Sequence, residues 1–176
     1  MATPHEPIRV KLFASLIAGE DEIMATAIGR CVGRYGPLDL LSGRLPFDHT
    51  DYYRDEMGDG LFRKVVSFDE LMAPEQLPSI KRFTNDLEGA FAGRDGRRRI
   101  NIDPGYLVLD KVVLASCKNF SHRLYLGQGV FGEVTLLYRH GAGYGPLDWT
   151  YPDYDSDAMK TVLEDMRKRC RKQLAG

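Results

Sequence analysis

A chain of 176 residues, 43% of them hydrophobic and 28% charged, has the length and composition of one globular domain, and we predict a single domain over residues 1–176. The formal net charge of -1 gives no global field that attracts nucleic acid or acidic lipid, so we expect neither as a partner. No apolar run is long enough to cross a bilayer, and the first residues lack the pattern of a signal peptide, which predicts a cytoplasmic protein without a membrane partner.

The three cysteines, Cys31, Cys117 and Cys170, are odd in number and far apart in the sequence. This spacing argues against a disulfide framework and against a zinc site. We therefore interpret them as small buried residues on helices.

Hydrophobic spacing predicts the elements of the first half of the chain. They are a strand from Ile8 to Ile17, a helix from Asp21 to Gly36, strands from Leu38 to Leu45 and from Leu61 to Phe68, a short turn over 67–70, a helix from Pro74 to Gly93 and a strand over 97–103. In the first strand Lys11 and Ser15 fall on the polar face, so we expect this strand to be half-buried. The order of strands and helices predicts a ferredoxin-like βαββαβ core.

The second half of the chain extends this core. Asp103-Pro104 is a favourable start for a helix, and the apolar residues over 109–120 fit a helix better than a strand, with Lys111 and Lys118 on its other face. The remaining predicted elements are a β-hairpin made by 122–126 and 133–139 and a C-terminal helix from Asp157 to Leu174. The predicted fold class is α+β, with a ferredoxin-like βαββαβ core extended by a helix, a β-hairpin and a C-terminal helix.

The stretch LGQGVFGEV, Leu126 to Val134, has the glycine spacing of the phosphate-binding loop of protein kinases. The lysine, catalytic-loop and metal-binding motifs that complete a kinase site are absent from the sequence after it. The residues after Gly132 are strand-like, whereas a dinucleotide-binding loop requires a helix there, and the sequence has no P-loop motif. We therefore predict a hairpin loop, in a protein that is neither a kinase nor a P-loop NTPase.

Three segments are dense in polar and aromatic side chains and lie between regular elements: PFDHTDYYRDEMG (46–58), NIDPGY (101–106) and DWTYPDYDSD (148–157). Together with LYLGQGVFGEVTLLY (124–138), they resemble the domain-of-unknown-function 4416 family of prokaryotic proteins over almost the whole chain. The resemblance implies no activity, because the family has none established. A GTP-binding label sometimes attached to its members has no guanine-nucleotide motif to support it in this sequence.

Functional side chains often lie in loops on a rigid scaffold, which makes the acidic and histidine residues of these segments candidates for chemistry. Asp48, His49 and Asp51 are suited to ligate a divalent metal, or to act as a base with its orienting partner. The further candidates are Asp103, His122 and Glu133. The structural alternative is that Asp48 and Asp51 cap or turn the chain, that His49 is a solvated loop residue and that Asp103 caps a helix. The residues identify no cofactor.

The cationic candidates for anion binding are Lys111, Lys118, His122 and Arg123. A lysine face on a helix, followed by an alternating strand, is able to converge on a phosphate or carboxylate, although a solvated surface accounts for the same pattern. The aromatic candidates for stacking on a base or sugar are Tyr53, Tyr106 and Tyr151, which are also typical of packing beneath loops. The basic runs over 94–99 and 167–172 lack interleaved aromatic residues, so we interpret them as solvated faces.

Three functional hypotheses follow from these candidates. The first is a pocket for a small anionic or nucleotide-like ligand, lined by Lys, Arg and His with the tyrosines. The second is a small hydrolase or transferase that uses the acidic residues for acid–base or metal chemistry. The third is a protein-interaction module without a small-molecule site. Convergence of the cations, His122 and the first acidic loop would favour the first two hypotheses, and their dispersal would favour the third.

Overall fold

Nine β-strands form one antiparallel sheet with helices on both faces in the computed structural model of the protein, which describes residues 1–47 and 53–176. The strands are β1 (Val10–Ala18), β2 (Leu38–Leu41), β3 (Leu45–Pro46), β4 (Phe62–Met72), β5 (Ile100–Leu107), β6 (Lys111–Ser116), β7 (Leu124–Gly127), β8 (Val130–Arg139) and β9 (Gly143–Pro146). The helices are α1 (Asp21–Tyr35), α2 (Arg54–Met57), α3 (Leu77–Ala90), which follows a 3-10 turn at Pro74–Gln76, and α4 (Asp157–Ala175). Within the described ranges, no helix is both long and apolar enough to cross a membrane.

The strands follow the spatial order β2-β4-β1-β5-β6-β8-β7, with β3 paired to β4 and β9 paired to β8. Every pairing is antiparallel. The fold is therefore α+β, and the predictions of α1, of the β7–β8 hairpin and of α4 are confirmed. The predicted second strand is divided into β2 and β3. The strand β9 was not predicted, because its sequence is Gly-Tyr-Gly-Pro and glycine and proline are depleted in strands.

The central strand β1 is buried on both faces, so the prediction of a half-buried strand was wrong. One face, which includes Leu12, packs against α1 and α3, and the opposite face, which includes Phe13, packs against α4. Lys11 lies on the α4 side and is fully buried. Its Nζ donates to Asp39 Oδ2 at 2.7 Å and to the carbonyl oxygen of Phe68 at 2.9 Å. The expected solvent-facing side is covered because the C-terminal helix returns to it.

The prediction of a helix after Asp103 was also wrong, because β5 continues past this residue and the next apolar run forms the strand β6. The residues over 112–115 are all buried, so both faces of this strand are apolar. Such a run has no periodicity that distinguishes a strand from a helix. Gly105 permits the close approach of β5 to its neighbours, since a Cβ atom there would lie 2.4 Å from the carbonyl oxygen of Val113.

Two smaller predictions differ from the structure. The residues over 67–70 form no separate turn, because β4 continues through them. Cys31 and Cys170 are buried on α1 and α4 as predicted, whereas Cys117 is exposed and follows β6.

Candidate functional site at the split in the sheet

β5 and β6 pair along only part of their lengths, and the sheet opens where they separate. The residues over 105–107 pair with 112–114, whereas the first half of β5 has no described partner on β6. Side chains of α3 bond to the backbone of Ile102 instead: its N–H donates to Glu88 Oε1 at 2.7 Å, and its carbonyl oxygen accepts from Lys81 Nζ at 3.0 Å. Pro104 has no N–H to donate. We name this opening the split site, which comprises Glu56, Arg63, Lys81, Glu88, Arg98, Asn101, Asp103, Ser116, Lys118, His122, Arg123, Glu133, Asp153 and Tyr154.

Lys81 is a buried cation that reaches the split site from α3. Its Nζ donates to Asp103 Oδ1 at 3.0 Å and lies 4.0 Å from Glu88 Oε1. Asn101 Nδ2 donates to Asp103 Oδ2 at 2.7 Å. Burial alone would raise the pKa of Asp103, but Lys81 and Asn101 outweigh it and hold that pKa below its ordinary value. Because its side chain is 35% exposed, Asp103 is a fixed carboxylate that solvent reaches.

Glu88 is a buried carboxylate behind Asp103. Arg98 Nη1 lies 3.8 Å from Glu88 Oε2, while the same guanidinium makes a bidentate pair with Glu56 at 2.6 and 2.8 Å. Burial raises the pKa of Glu88 to about 7, because it outweighs the attraction of Lys81. Glu88 therefore changes its protonation near neutral pH, inside the split site.

Replacing Glu88 by Gln should make the protein more stable than wild type at high pH. The pKa of Glu88 is about 7 in the folded chain and 4.5 ordinarily. The stability that the carboxyl proton contributes is therefore fully present below the lower value and is lost as the pH rises through the higher value. Between about pH 5 and about pH 8, the stability difference between the two proteins should change by about 2 kcal/mol. Urea unfolding measures this change, with the exposed Glu75→Gln as control. A pH-independent difference would mean that Glu88 ionises normally in the folded protein.

Glu133 on β8 is buried beneath the side chains of His122 and Arg123. Its Oε2 lies 2.9 Å from His122 Nε2 and accepts from Arg123 Nε at 2.6 Å. Arg123 Nη1 donates to Ser116 Oγ at 3.1 Å and to the carbonyl oxygen of Lys118 at 2.9 Å. These bonds fix the guanidinium of Arg123 between β6, β8 and the loop after β6.

Aromatic rings border this ion pair. The His122 ring stacks on Trp149, with centroids 5.0 Å apart and planes within 5°. Tyr151 is 53% exposed and lies close enough to Arg123 to raise its pKa. Burial would lower the pKa of Arg123, but Glu133 and Tyr151 outweigh it and raise that pKa. Arg123 therefore carries a permanent charge beside exposed rings.

Arg63 on β4 forms the third part of the split site. Its guanidinium pairs with Asp153 and lies between the rings of Phe47 and Tyr154, 5.1 Å from each centroid. Burial raises the pKa of Tyr154 far above its ordinary value. The charge of Arg63 also lowers the pKa of Asp103, which indicates that this group lies near the carboxylate held by α3.

The loop after β6 connects these groups. Asn85 on α3 donates to Cys117 Sγ at 3.1 Å. The hydrogen bond from Arg98 is the main reason why the pKa of Glu56 is low, and the charge of Lys118 lowers it further. Since the backbone of Lys118 also binds Arg123, the loop joins the α3 side of the split site to the β8 side.

The structure brings together three of the four predicted cationic residues: Lys118, His122 and Arg123. Tyr151 lies beside Arg123, and the ring of Tyr53 lies 5.5 Å from Arg98 Cζ. Lys118, His122 and Arg123 lie within six consecutive residues, whereas Tyr53 and Tyr151 come from other parts of the chain.

Two predicted residues lie elsewhere. Lys111 is at the far end of β6, roughly 17 Å along the strand from Ser116, and its Nζ is 3.7 Å from Asp110. Tyr106 is half-buried against the core on the α1 and α3 side, where burial raises its pKa. Because β6 is a strand, Lys111 and Lys118 do not share a helix face.

Among the acidic candidates, Asp103 and Glu133 belong to the split site. Asp48, His49 and Asp51 lie outside the described residues, so their roles stay predictions. In residues 1–47 and 53–176, no three His, Cys, Asp or Glu residues are arranged to hold a metal ion. Two surface grooves occur elsewhere, between α1 and α3 and between β9 and α4.

Sequence reasoning missed the charged residues that α3 contributes. Leu77, Lys81, Thr84 and Glu88 recur at helical spacing, and all four are buried. A lysine and a glutamate at apolar positions are the signal that could have identified Lys81 and Glu88. Arg63 and Arg98 carry no comparable signal, because isolated arginines are ordinary in strands and loops.

The fold and the split site together define an α+β domain whose polar cluster lies where two strands of an antiparallel sheet separate. The model of the family described as Domain of unknown function (DUF4416) matches residues 8–170, and the chain belongs to this family. The resemblance in the sequence motifs is thereby confirmed. No curated protein and no solved structure matches the chain significantly.

Proposed function

We propose that the chain binds a small anionic or nucleotide-like ligand at the split site. The proposal rests on one observation: His122, Arg123 and the backbone of Lys118, all from the loop after β6, lie beside Tyr151, which comes from the segment between β9 and α4. In this proposal Lys118 and Arg123 face the anionic group, and Arg123 is held rigidly by Glu133. A preorganised guanidinium loses less conformational entropy when it binds a ligand.

The charge of the split site supports an anionic ligand at acidic to neutral pH. Its lysine and arginine side chains are Arg63, Lys81, Arg98, Lys118 and Arg123, and its carboxylates are Glu56, Glu88, Asp103, Asp153 and Glu133. These sets are equal in number while Glu88 is ionised. Protonation of Glu88 below pH about 7 leaves one cation in excess, so anion binding is expected to tighten as the pH falls.

The exposed rings support a ligand with a flat group. Tyr151 is 53% exposed beside Arg123, and Trp149 is 37% exposed while its other side contacts His122. The indole is fixed because its Nε1 donates to the carbonyl oxygen of Val134 at 2.8 Å. A fixed ring next to cations is the arrangement on which a nucleobase stacks.

The test uses a matched pair of lysines near the two ends of β6. Inorganic phosphate and adenosine and guanosine nucleotides are titrated into wild type, Lys118→Ala and Lys111→Ala by calorimetry, and melting temperature reports stabilisation. We expect Lys118→Ala to weaken binding about tenfold or more and Lys111→Ala to leave it unchanged. Equal weakening by both variants, or no binding across the panel, would refute the proposal.

A second candidate is a hydrolase or transferase that uses Asp103 as a general base. The observation that favours it is a solvent-reached carboxylate fixed by Lys81, with Glu88 titrating near neutral pH behind it. The catalytic assignment predicts that Asp103→Asn abolishes turnover of phosphate-ester probes while phosphate binding persists. Unchanged turnover in this variant would remove Asp103 from the chemistry.

We also propose that β1, α1, β2, β4, α3 and β5 form a ferredoxin-like core. Support comes from the antiparallel order β2-β4-β1-β5, with α1 and α3 on the same face. A cytoplasmic location stays a prediction from the sequence.

A further inference from the structure

A cluster of exposed apolar side chains lies at the β7 edge of the sheet. Ten large hydrophobic residues are exposed in the described part of the chain, and four of them fall within seven consecutive positions. We name these four the β7 patch: Phe120, Leu124, Tyr125 and Leu126. Leu124 and Tyr125 are 76% and 64% exposed, so most of each side chain lies outside the protein's own core.

The backbone of β7 is also unpaired on its outer side. β7 is the last strand in the sheet order, and β8 is its only partner among the described residues. Natural edge strands are usually protected by charged residues, prolines or bulges on the open side. β7 consists of Leu-Tyr-Leu-Gly and contains neither a charge nor a proline, and its one register irregularity against β8 lies at its end, between Tyr125 and Gly127. An edge of this composition favours pairing with another strand.

We propose that two copies of this chain pair through β7 in an antiparallel arrangement around a two-fold axis at Tyr125. In this register Tyr125 lies opposite the partner's Tyr125, and Leu124 lies opposite the partner's Leu126. Leu124 and Leu126 point to one face of the sheet and Tyr125 to the other, so apolar cross-strand pairs form on both faces. Both copies use the same surface in this contact, so the assembly is complete as a dimer and does not extend into a filament.

The charges around β7 fit a second copy as the partner. The flanking Arg123 is neutralised within its own chain by Glu133, which is buried next to it. Pairing β7 with itself therefore brings no uncompensated like charges together. A charged peptide would find no complementary side chain on Leu124–Gly127.

The area of the patch is close to what a weak dimer requires. Side chains of this size present on the order of 200 Å² each, so the exposed fractions correspond to roughly 500 Å² per copy. A standard interface buries about 800 Å² per partner, and the smallest stable ones bury about 600 Å². The outer backbone of β7 supplies the remainder, and we expect a dimer that dissociates on dilution.

A charge-exchange experiment tests this register. Wild type, Tyr125→Lys and Tyr125→Glu are compared by analytical ultracentrifugation across micromolar concentrations, and circular dichroism verifies that each is folded. We expect wild type to dimerise, each variant alone to be monomeric because like charges meet at the axis, and an equal mixture of both variants to dimerise again. Leu41→Lys on β2, the opposite edge, is the matched control and should remain dimeric.

A crosslink gives a second readout that does not depend on affinity. Tyr125→Cys in a Cys117→Ser background should form a disulfide between copies, because opposed residues of antiparallel strands have Cα atoms about 5 Å apart. Leu41→Cys in the same background should not. A monomeric wild type, a dimer that survives Tyr125→Lys, or two variants that fail to pair when mixed would each overturn the proposal.

Discussion

Replacing Glu133 by Gln is expected to lower the free energy of unfolding by about 3–5 kcal/mol. Glu133 is 3% exposed, and its Oε2 lies within hydrogen-bonding distance of both His122 and Arg123. The amide of Gln carries no charge, so it leaves the buried guanidinium of Arg123 without its counter-ion. Urea unfolding followed by circular dichroism at neutral pH measures the loss.

The control for this variant is Glu70→Gln on β4, which is exposed and should change the unfolding free energy by less than about 0.5 kcal/mol. In a Glu133→Gln background, the further change Arg123→Gln should cost much less than it costs in wild type, because the charge pair is already broken. Additive losses from the two substitutions would contradict a direct pair.

Lys81→Met is expected to lower the free energy of unfolding by about 3 kcal/mol. Methionine retains the buried aliphatic stem but removes the donor to Asp103 Oδ1 and to the carbonyl oxygen of Ile102. The effect should be smaller near pH about 5, where Glu88 is protonated and needs no neighbouring cation. Equilibrium unfolding at two pH values measures both the loss and its pH dependence.

The adjacent substitution Arg82→Met on α3 is the matched control, since Arg82 is exposed and its loss should have little effect. If Lys81→Met were as mild as Arg82→Met, Lys81 would not be the cation that satisfies the opened edge of β5. The backbone of Ile102 would then need another partner.

Amphipathic elements were predictable from the sequence because their periodicity is local. α1 and α4 each have one apolar face and recognisable ends, and the glycines at 127 and 129 mark the turn of the β7–β8 hairpin, so local residues specify these elements. β6 was not predictable, because a strand buried on both faces has no alternation to identify it. The burial of Lys11 was not predictable for a related reason. A lysine on a strand normally indicates a solvent-facing side, but here the distant helix α4 covers that side and Asp39 pairs with the ammonium group.

The split site was predictable only in part. The sequence grouped Lys111, Lys118, His122 and Arg123 with Tyr53, Tyr106 and Tyr151. Of these residues, His122, Arg123, Tyr151 and the backbone of Lys118 lie together. The prediction assigned Lys118 to a helix that does not form and included Lys111, which the strand geometry separates from the others. The contribution of α3 was missed, because nothing local to Lys81 and Glu88 indicates that their partners are backbone groups of β5.

The most direct test of the account is an NMR titration of the wild-type protein with inorganic phosphate and with a nucleotide, following backbone amide resonances. An anion site at the split predicts that the largest shift changes occur over residues 116–123 and 101–103 and at Glu133, while Lys111 and the α1–α3 groove stay unchanged. Largest changes in that groove, or no changes at millimolar ligand, would contradict the assignment of the split site as the binding site.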